Sequence, residues 1–405
     1  MNIAPVFKAL RRHKTAVILI ILQIAVCCAI LCNSIYVIKA RVDRMTRLSG
    51  VAESELVALQ TANLGDAYRG PGADAAIQRD LALLRGLPGV SATTMAGQFP
   101  YGSSSWGTSI GLKPEDDAHK FEVSMSMAGP GFADTLGLKL QQGRWFNNEE
   151  YADQAKGMMS QIDYPVGIIT RSLANRLFPA GDALGKSVYL DKSPTRIVGI
   201  IDDLMRPDGF QDSVHSYDSI LLPVKPRYGS YLLRVPSLDR GRTLAAAETV
   251  LLKADPDRII VGKETLEEMR HQRYGRDRSV VWLLVIVSLC MLAISTCGIG
   301  GLVSFWVQQR TKQIGVRRAL GATRGDILRH FQIENFLIVS GGIVLGMLLA
   351  FGMNQLLMAK YELPRLPWPY LPIGAVVLWL LGQLAILGPA LRGASISPAI
   401  ATRSA

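Results

Sequence analysis

Four apolar runs decide what this chain can fold into. Thr15 to Ile38 holds 24 residues with only Gln23 and Asn33 as amide interruptions. At 1.5 Å rise per residue, such a helix crosses the ~30 Å hydrocarbon layer of a bilayer. Three more runs of spanning length follow, at about Val280 to Val307, Phe336 to Met358 and Leu371 to Leu391. Lys8, Arg11, Arg12 and Lys14 precede the first run like the basic region of a signal peptide. The apolar core of such a peptide is only about 7 to 15 residues, so a membrane helix is the better reading. Cys32 also lacks the preceding small residue that a lipoprotein cleavage site needs.

Charge placement orients the spans. The chain carries a net +11, yet Lys39 to Ser279 contains 30 Lys/Arg against 30 Asp/Glu, leaving 14 basic and 3 acidic residues for the remainder. The excess therefore flanks the apolar runs, where the positive-inside rule reads it. The N-terminal tail is basic. The flank Gln308 to Gln332 carries Arg310, Lys312, Arg317, Arg318, Arg324 and Arg329 against one Asp, and both flanks are expected in the cytoplasm. The connection with Lys360, Glu362 and Arg365 then lies outside, and the tail with Arg392 and Arg403 returns inside. Trp282, Tyr361, Trp368 and Tyr370 are placed at the outer interface and Trp306 at the inner one. A nucleic-acid binder would instead show a basic stripe on a soluble domain, so nucleic acid is not an expected partner.

The expected division is a cytoplasmic tail at 1–14, spans at 15–38, 280–307, 333–358 and 371–391, and an extracytoplasmic domain at 39–279. A cytoplasmic segment at 308–332, an outer loop at 359–370 and a cytoplasmic tail at 392–405 complete it. All five cysteines, Cys27, Cys28, Cys32, Cys290 and Cys297, fall in apolar runs, so the outer domain has no disulfide framework. Gly298, Gly300, Gly301, Gly341, Gly342, Gly346 and Gly352 would let helices approach closely, on this chain or another. Glu334 and Gln383 are the polar residues that stand out in or beside the spans; Glu334 reads as an interfacial hydrogen-bonding or ion-pairing group.

The outer domain reads as mixed α/β, with ends that resemble each other. Leu56 to Gln60 is a strand, Ala73 to Arg85 a helix with Ile77, Leu81 and Leu84 on one face, and Gly89 to Met95 a strand. Tyr231 to Val235, Thr243 to Lys253 and Arg258 to Gly262 repeat that order, with Leu244, Ala247 and Leu251 on the helix face. Two such units predict a split, ferredoxin-like subdomain into which Gln98 to Pro226 is inserted as a strand-rich lobe. Inside the lobe, Pro165 to Ile169 is a strand, Thr170 an N-cap, Arg171 to Leu177 a helix, and Lys186 to Leu190 and Arg196 to Ile201 strands around a turn at Asp191 to Pro194.

Three short patterns fail as chemistry. Ala180 to Ser187 meets the loose nucleotide-loop pattern, but a helix precedes it and a strand follows, the reverse of what phosphate binding needs. Ser103, Ser104 and Ser105 miss the last glycine of a nucleophile elbow. Asp212, His215 and Asp218 have ligand-like spacing without a fourth donor and read as a solvated loop. No catalytic or metal constellation emerges.

The most ordered stretch is Arg310 to Leu328, R-T-K-Q-I-G-V-R-R-A-L-G-A-T-R-G-D-I-L. A helix starts at Arg310, Gly321-Ala322 breaks it, and Thr323 with Asp326 forms a capping box for the next helix. Such a helix on the membrane surface offers a cationic face to a soluble partner.

This segment resembles the hallmark of MacB/FtsX-type ABC transporter permeases, R-x-x-E-I-G-I-R-R/K-A-x-G-A. Arg310, Ile314, Gly315, Arg317, Arg318, Ala319, Gly321 and Ala322 match, as does Glu334, while Gln313 replaces the usual Glu. Gly137 to Phe146, Arg171 to Ser187 and Pro389 to Pro398 extend the resemblance over essentially the whole chain. It implies a non-catalytic permease, paired with itself or a related permease, that is driven by a cytoplasmic ABC ATPase on a separate chain. ATP and Mg would sit on that ATPase and no cofactor on this chain. Lys312 and Gln313 would share the ATPase-facing surface with the matched residues. The resemblance also implies a periplasmic adaptor, a TolC-like outer-membrane channel and membrane lipid as partners, in a bacterial inner membrane. Export of a peptide, antibiotic, siderophore or toxin is the expected function, with regulation of an envelope enzyme or lipoprotein extraction as alternatives.

Overall fold

The computed structural model describes residues 14–63, 68, 72–114, 120–153, 163–190, 193–207, 215–361 and 370–395. Lys8, Arg11, Arg12, Asp191, Asp212, Glu362, Arg365, Trp368, Arg403 and Ile396 to Pro398 lie outside them, as do the side chains of Lys360, Tyr361 and Tyr370. The chain divides into two units, Met1–Met45 with Arg276–Ala405, and Thr46–Gly275.

The first unit begins with helix α1, Lys14–Met45. It runs past the apolar segment because nothing after Ile38 breaks a helix, and Lys39 pairs with Asp43 one turn on.

The second unit contains a four-stranded antiparallel sheet. Strand β1 is Leu56–Asn63, helix α2 is Ala73–Arg85 and strand β2 is Ala92–Ala96. Much later come β12, Ser230–Arg234, helix α5, Arg240–Ala254, and β13, Arg258–Thr265. The strand order β13-β1-β12-β2 is that of a ferredoxin-like fold. Val57, Leu59, Tyr231 and Leu233 pack with Ile77, Leu81 and Leu84 of α2 and Leu244, Ala247 and Leu251 of α5. Strand β2 starts later than expected, since Gly89 adopts φ +82° in the preceding turn.

Beneath this core lies a charge network that periodicity does not reveal. Asp80 and Arg258 are both buried and form an ion pair. Tyr231 and Tyr68 donate their hydroxyls to Asp80 Oδ2 at 2.7 Å, and Arg258 Nε donates to Asn63 Oδ1 at 3.1 Å. Burial, then the Asp80 carboxylate, pushes the Tyr68 hydroxyl up to about 12 and that of Tyr231 well above the usual range.

The lobe between β2 and β12 starts with β3, Gly107–Ile110, β4, Phe121–Met127, helix α3, Phe132–Leu136, β5, Leu140–Gly143, and β6, Ala152–Asp153. Strand β7, Val166–Thr170, helix α4, Arg171–Leu177, β8, Ser187–Tyr189, and β9, Pro194–Ile201, follow. Strands β10, Ser219–Leu222, and β11, Val224–Lys225, end it. Among the described residues the main sheet has the order β3-β4-β10-β7-β9-β5, with β8 beside β9, and β11 pairs with β6.

One expectation for the lobe is refined and one corrected. Thr170 stands at the N-cap of α4, but its hydroxyl donates to the Tyr217 carbonyl at 2.6 Å; Asp203 Oδ1 instead accepts from the Ser172 amide at 2.8 Å. Asp218 is buried, not solvated, with Ser172, Arg176 and His215 at 2.6, 2.7 and 3.1 Å. That neighbourhood neutralises a carboxylate within the sheet.

Helix α6, Leu266–Arg273, closes the unit behind a capping box in which Thr265 and Glu268 satisfy each other's backbone amides. Arg270 donates to Glu53 Oε2 at 2.9 Å and to the Arg47 carbonyl at 3.2 Å. The segment leaving the domain is thereby tied to the segment entering it.

The first unit resumes with α7, Gly275–Gln309, the short helix α8, Thr311–Ala319, then α9, Arg324–Tyr361, and α10, Tyr370–Ala394. Helices α1, α7, α9 and α10 are each long and apolar enough to cross a membrane. Arg41 of α1 pairs with Asp277 of α7. Ile24, Cys28, Cys32, Ile299, Val303, Val339, Ile343 and Leu378 form the interior. Trp282, Leu283, Ile286, Leu289 and Ile294 of α7 remain exposed. Gly342 and Gly346 abut Ile24 and Cys28 of α1, whereas Gly301 and Gly352 have no such neighbour within 4 Å.

Candidate functional site

Helix α8 continues almost directly from α7, for the Arg310 amide donates to the Trp306 carbonyl and the Ile314 amide to that of Arg310, at 3.0 and 2.9 Å. It turns its narrow apolar side inward, burying Ile314 and Gly315. Lys312, Gln313, Arg317 and Ala319 are exposed, and Arg318 is half-buried. Val316 and Leu320, 52% and 83% exposed, add an apolar element to this basic surface. Residues four apart share a helix face, so the surface is mixed basic and apolar. Charge-based reading of the sequence missed that component, although the spacing of Val316 and Leu320 is visible there.

The end of α8 depends on one glycine. The Ala322 amide donates to the Arg317 carbonyl at 3.0 Å and the Gly321 amide to that of Arg318 at 3.1 Å. These are the two bonds of a Schellman motif, and Gly321 takes the φ of +99° that this closure requires. Thr323 then opens α9. Its amide donates to Asp326 Oδ2 at 3.0 Å, and the Asp326 amide to the Thr323 hydroxyl at 3.2 Å.

Below the exposed face, Arg310 meets Glu334. Its Nη1 lies 3.0 Å from Glu334 Oε2, its Nη2 lies 3.3 Å from Oε1, and Glu334 is 1% exposed. The guanidinium also sits 5.5 Å from the centre of the Trp306 ring. Trp306 is buried among the helices, where its ring backs this ion pair. Asn335 continues the connection, donating to the Gly382 carbonyl of α10 at 3.0 Å. The base of α8 is thus fixed to α9, and α9 to α10.

The other sequence patterns stay apart from this site. Helix α4 precedes residues 180–187 and strand β8 follows, with Lys186 paired to Asp182. Ser104 accepts from the indole of Trp106 at 2.8 Å.

A helical membrane unit interrupted by a ferredoxin-like domain, with a braced basic helix between two spans, has the build of a transporter permease subunit. Residues 16–269 match the family model of the MacB-like periplasmic core domain, and residues 285–398 that of the FtsX-like permease C-terminal region. The chain belongs to the MacB/FtsX-like ABC transporter permeases. It is 27% identical over 234 residues to the macrolide export ATP-binding/permease protein MacB of Neisseria gonorrhoeae, a match covering 55% of this chain and 34% of that protein. The chain therefore spans about a third of the length of this curated relative. It is 24% identical over 335 residues to the uncharacterized ABC transporter permease YknZ of Bacillus subtilis, covering 80% of this chain and 78% of that one. The crystal structure of the periplasmic region of MacB from Actinobacillus actinomycetemcomitans aligns with 57% of this chain and 97% of its own, at 15% identity and a TM-score of 0.34.

Proposed function

We propose that this chain is the permease subunit of an ATP-driven export system, in which a separate cytoplasmic ATPase engages α8 and moves the periplasmic domain. The observation that carries this reading is the bracing of an exposed basic and apolar helix by the buried Arg310–Glu334 pair. A helix held at its base by charge and packing passes a push to α9 rather than folding away from it. In this reading ATP and Mg belong to the ATPase and this chain performs no chemistry itself.

The basic flanks support cytoplasmic termini and a periplasmic Thr46–Gly275 unit. The exposed apolar side of α7 is compatible with lipid and with a second permease, identical or related. The name of the MacB relative favours export, and its macrolide cargo makes antibiotics one candidate class beside peptides, siderophores and toxins. A periplasmic adaptor and a TolC-like outer channel complete the proposed assembly.

Replacing Arg317 and Arg318 together with Glu reverses the charge of the α8 surface without touching Ile314 or Glu334. The variant should insert normally yet lose the co-purifying ATPase. Undiminished co-purification would remove α8 as the docking surface. Export itself is checked by substrate appearing outside cells only with a hydrolysing ATPase.

A further inference from the structure

The sheet face turned away from α2 and α5 carries a cleft of about 280 Å³. Its floor follows from strand alternation. Val57, Leu59 and Tyr231 point into the core, so Ala58, Gln60 and Ser230 point the other way. Gln60 lies opposite Ser230 on β12 and opposite Gly262 on β13, which aligns an amide, a hydroxyl and an absent side chain. Gly262 creates the hollow. A Cβ built there meets nothing nearer than Gln60 Cβ at 3.9 Å, and its backbone does not need glycine.

One wall comes from the loop around Phe99 to Ser103 and the other from the last turn of α6. Tyr101 adopts φ +66°, the one positive φ outside glycine among the described residues. Its hydroxyl donates to Glu53 at 3.0 Å and its ring meets the edge of Tyr274 at 6.1 Å. Strained conformations of this kind persist where surrounding contacts hold them, and they gather at binding sites. Glu264 and Arg273 supply one charge of each sign to the lining, with Gln272 donating to Glu264 at 2.9 Å. A lining balanced in charge, rich in amide and hydroxyl groups, and walled on one side by an aromatic loop does not suit a lipid tail or a polyanion. Its size, just below the ~300–1,000 Å³ of drug-sized pockets, excludes large cargo.

We propose that this cleft binds a small zwitterion of amino-acid to dipeptide size, with its ammonium group toward Glu264, its carboxylate toward Arg273 and its amide against Gln60. The site lies within the Thr46–Gly275 unit and does not depend on the direction or cargo of transport.

The test is calorimetric titration of the full chain in lipid nanodiscs with L-alanyl-L-glutamine, L-alanine and N-acetyl-L-alanine amide. At least one of the two zwitterions should bind, and the blocked amide at least about tenfold more weakly, as expected when a charge-assisted contact is lost. Gly262→Leu should fill the cleft and abolish binding while leaving the melting temperature of the unliganded protein unchanged. Glu264→Gln should narrow the preference for a free ammonium group. Binding to Gly262→Leu equal to that of the parent overturns the proposal, as does failure of both zwitterions to bind at millimolar concentration.

Discussion

At the scale of single residues, two buried charge networks divide the labour of the molecule. Glu334 is enclosed in the helical unit beside Arg310, and removing one partner of such a pair leaves the other desolvated without compensation. Losses of about 3–5 kcal/mol accompany broken buried pairs, and the 16% exposure of the Arg310 side chain places Glu334→Ala at the lower end of that range. Glu334→Gln keeps a hydrogen-bond acceptor and should cost less. Thermal unfolding in nanodiscs, run alongside stimulation of the partner ATPase, measures both effects. In the outer domain, Asp80 depends on neutral Tyr231 and Tyr68 as donors. Their raised pKa values mean that the folded state holds protons which the unfolded chain releases near the ordinary tyrosine value of about 10. This contribution is complete below about pH 10 and is lost as pH climbs through the range near 12. Melting followed from neutral to strongly alkaline pH should fall over that window. Tyr231→Phe should lower stability by about 1–3 kcal/mol at neutral pH and flatten the alkaline slope.

At the scale of elements, the glycines of the membrane helices are not equivalent. A Cβ at Gly346 would stand 2.5 Å from Cys28 Cβ and 2.7 Å from the Ala25 carbonyl, so α1 and α9 pack there only because no side chain intervenes. Gly346→Val should force these helices apart and sharply reduce the folded yield, measured as monodisperse protein in detergent; Gly352→Ala, with open space around it, should behave as the parent. Much of this level was legible in the sequence. The 3.6-residue spacing of Ile77, Leu81 and Leu84 marks α2, its counterpart marks α5, and Gly321 with Thr323 marks the joint between α8 and α9. What escaped depends on partners distant in the chain. Arg310 and Glu334 are 24 residues apart, Asp80 and Arg258 are 178 apart, and no local pattern joins either pair. Asp203 capping α4 in place of Thr170 is another such case, because a side chain's nearest backbone amide in sequence need not be its partner in space. The helix that carries the first apolar run continues beyond it to Met45, where Arg41 is paired with Asp277, a partner from another element.

At the scale of the whole molecule, orientation is open to a direct check. Leu238 is 99% exposed in the outer domain and Leu320 is 83% exposed after α8. In a background without the five native cysteines, Leu238→Cys should react with a membrane-impermeant maleimide on intact spheroplasts, and Leu320→Cys only after permeabilisation. The reverse pattern would invert the proposed topology. The neck of the domain has a mechanical consequence of its own. Strands β1 and β13 run antiparallel, so the chain enters at Leu56 and leaves at Thr265 from the same end of one ladder, where Val57 faces Thr265. Tension pulling the two leads apart would load the Arg41–Asp277 pair and then the Arg270 clasp on Glu53 and Arg47 before peeling that ladder one rung at a time. A displacement shared by both leads loads none of those rungs. The neck therefore rejects differential motion and passes common motion, as a mechanical filter would, and only the concerted component of movement in α1 and α7 can reach the domain without damaging it.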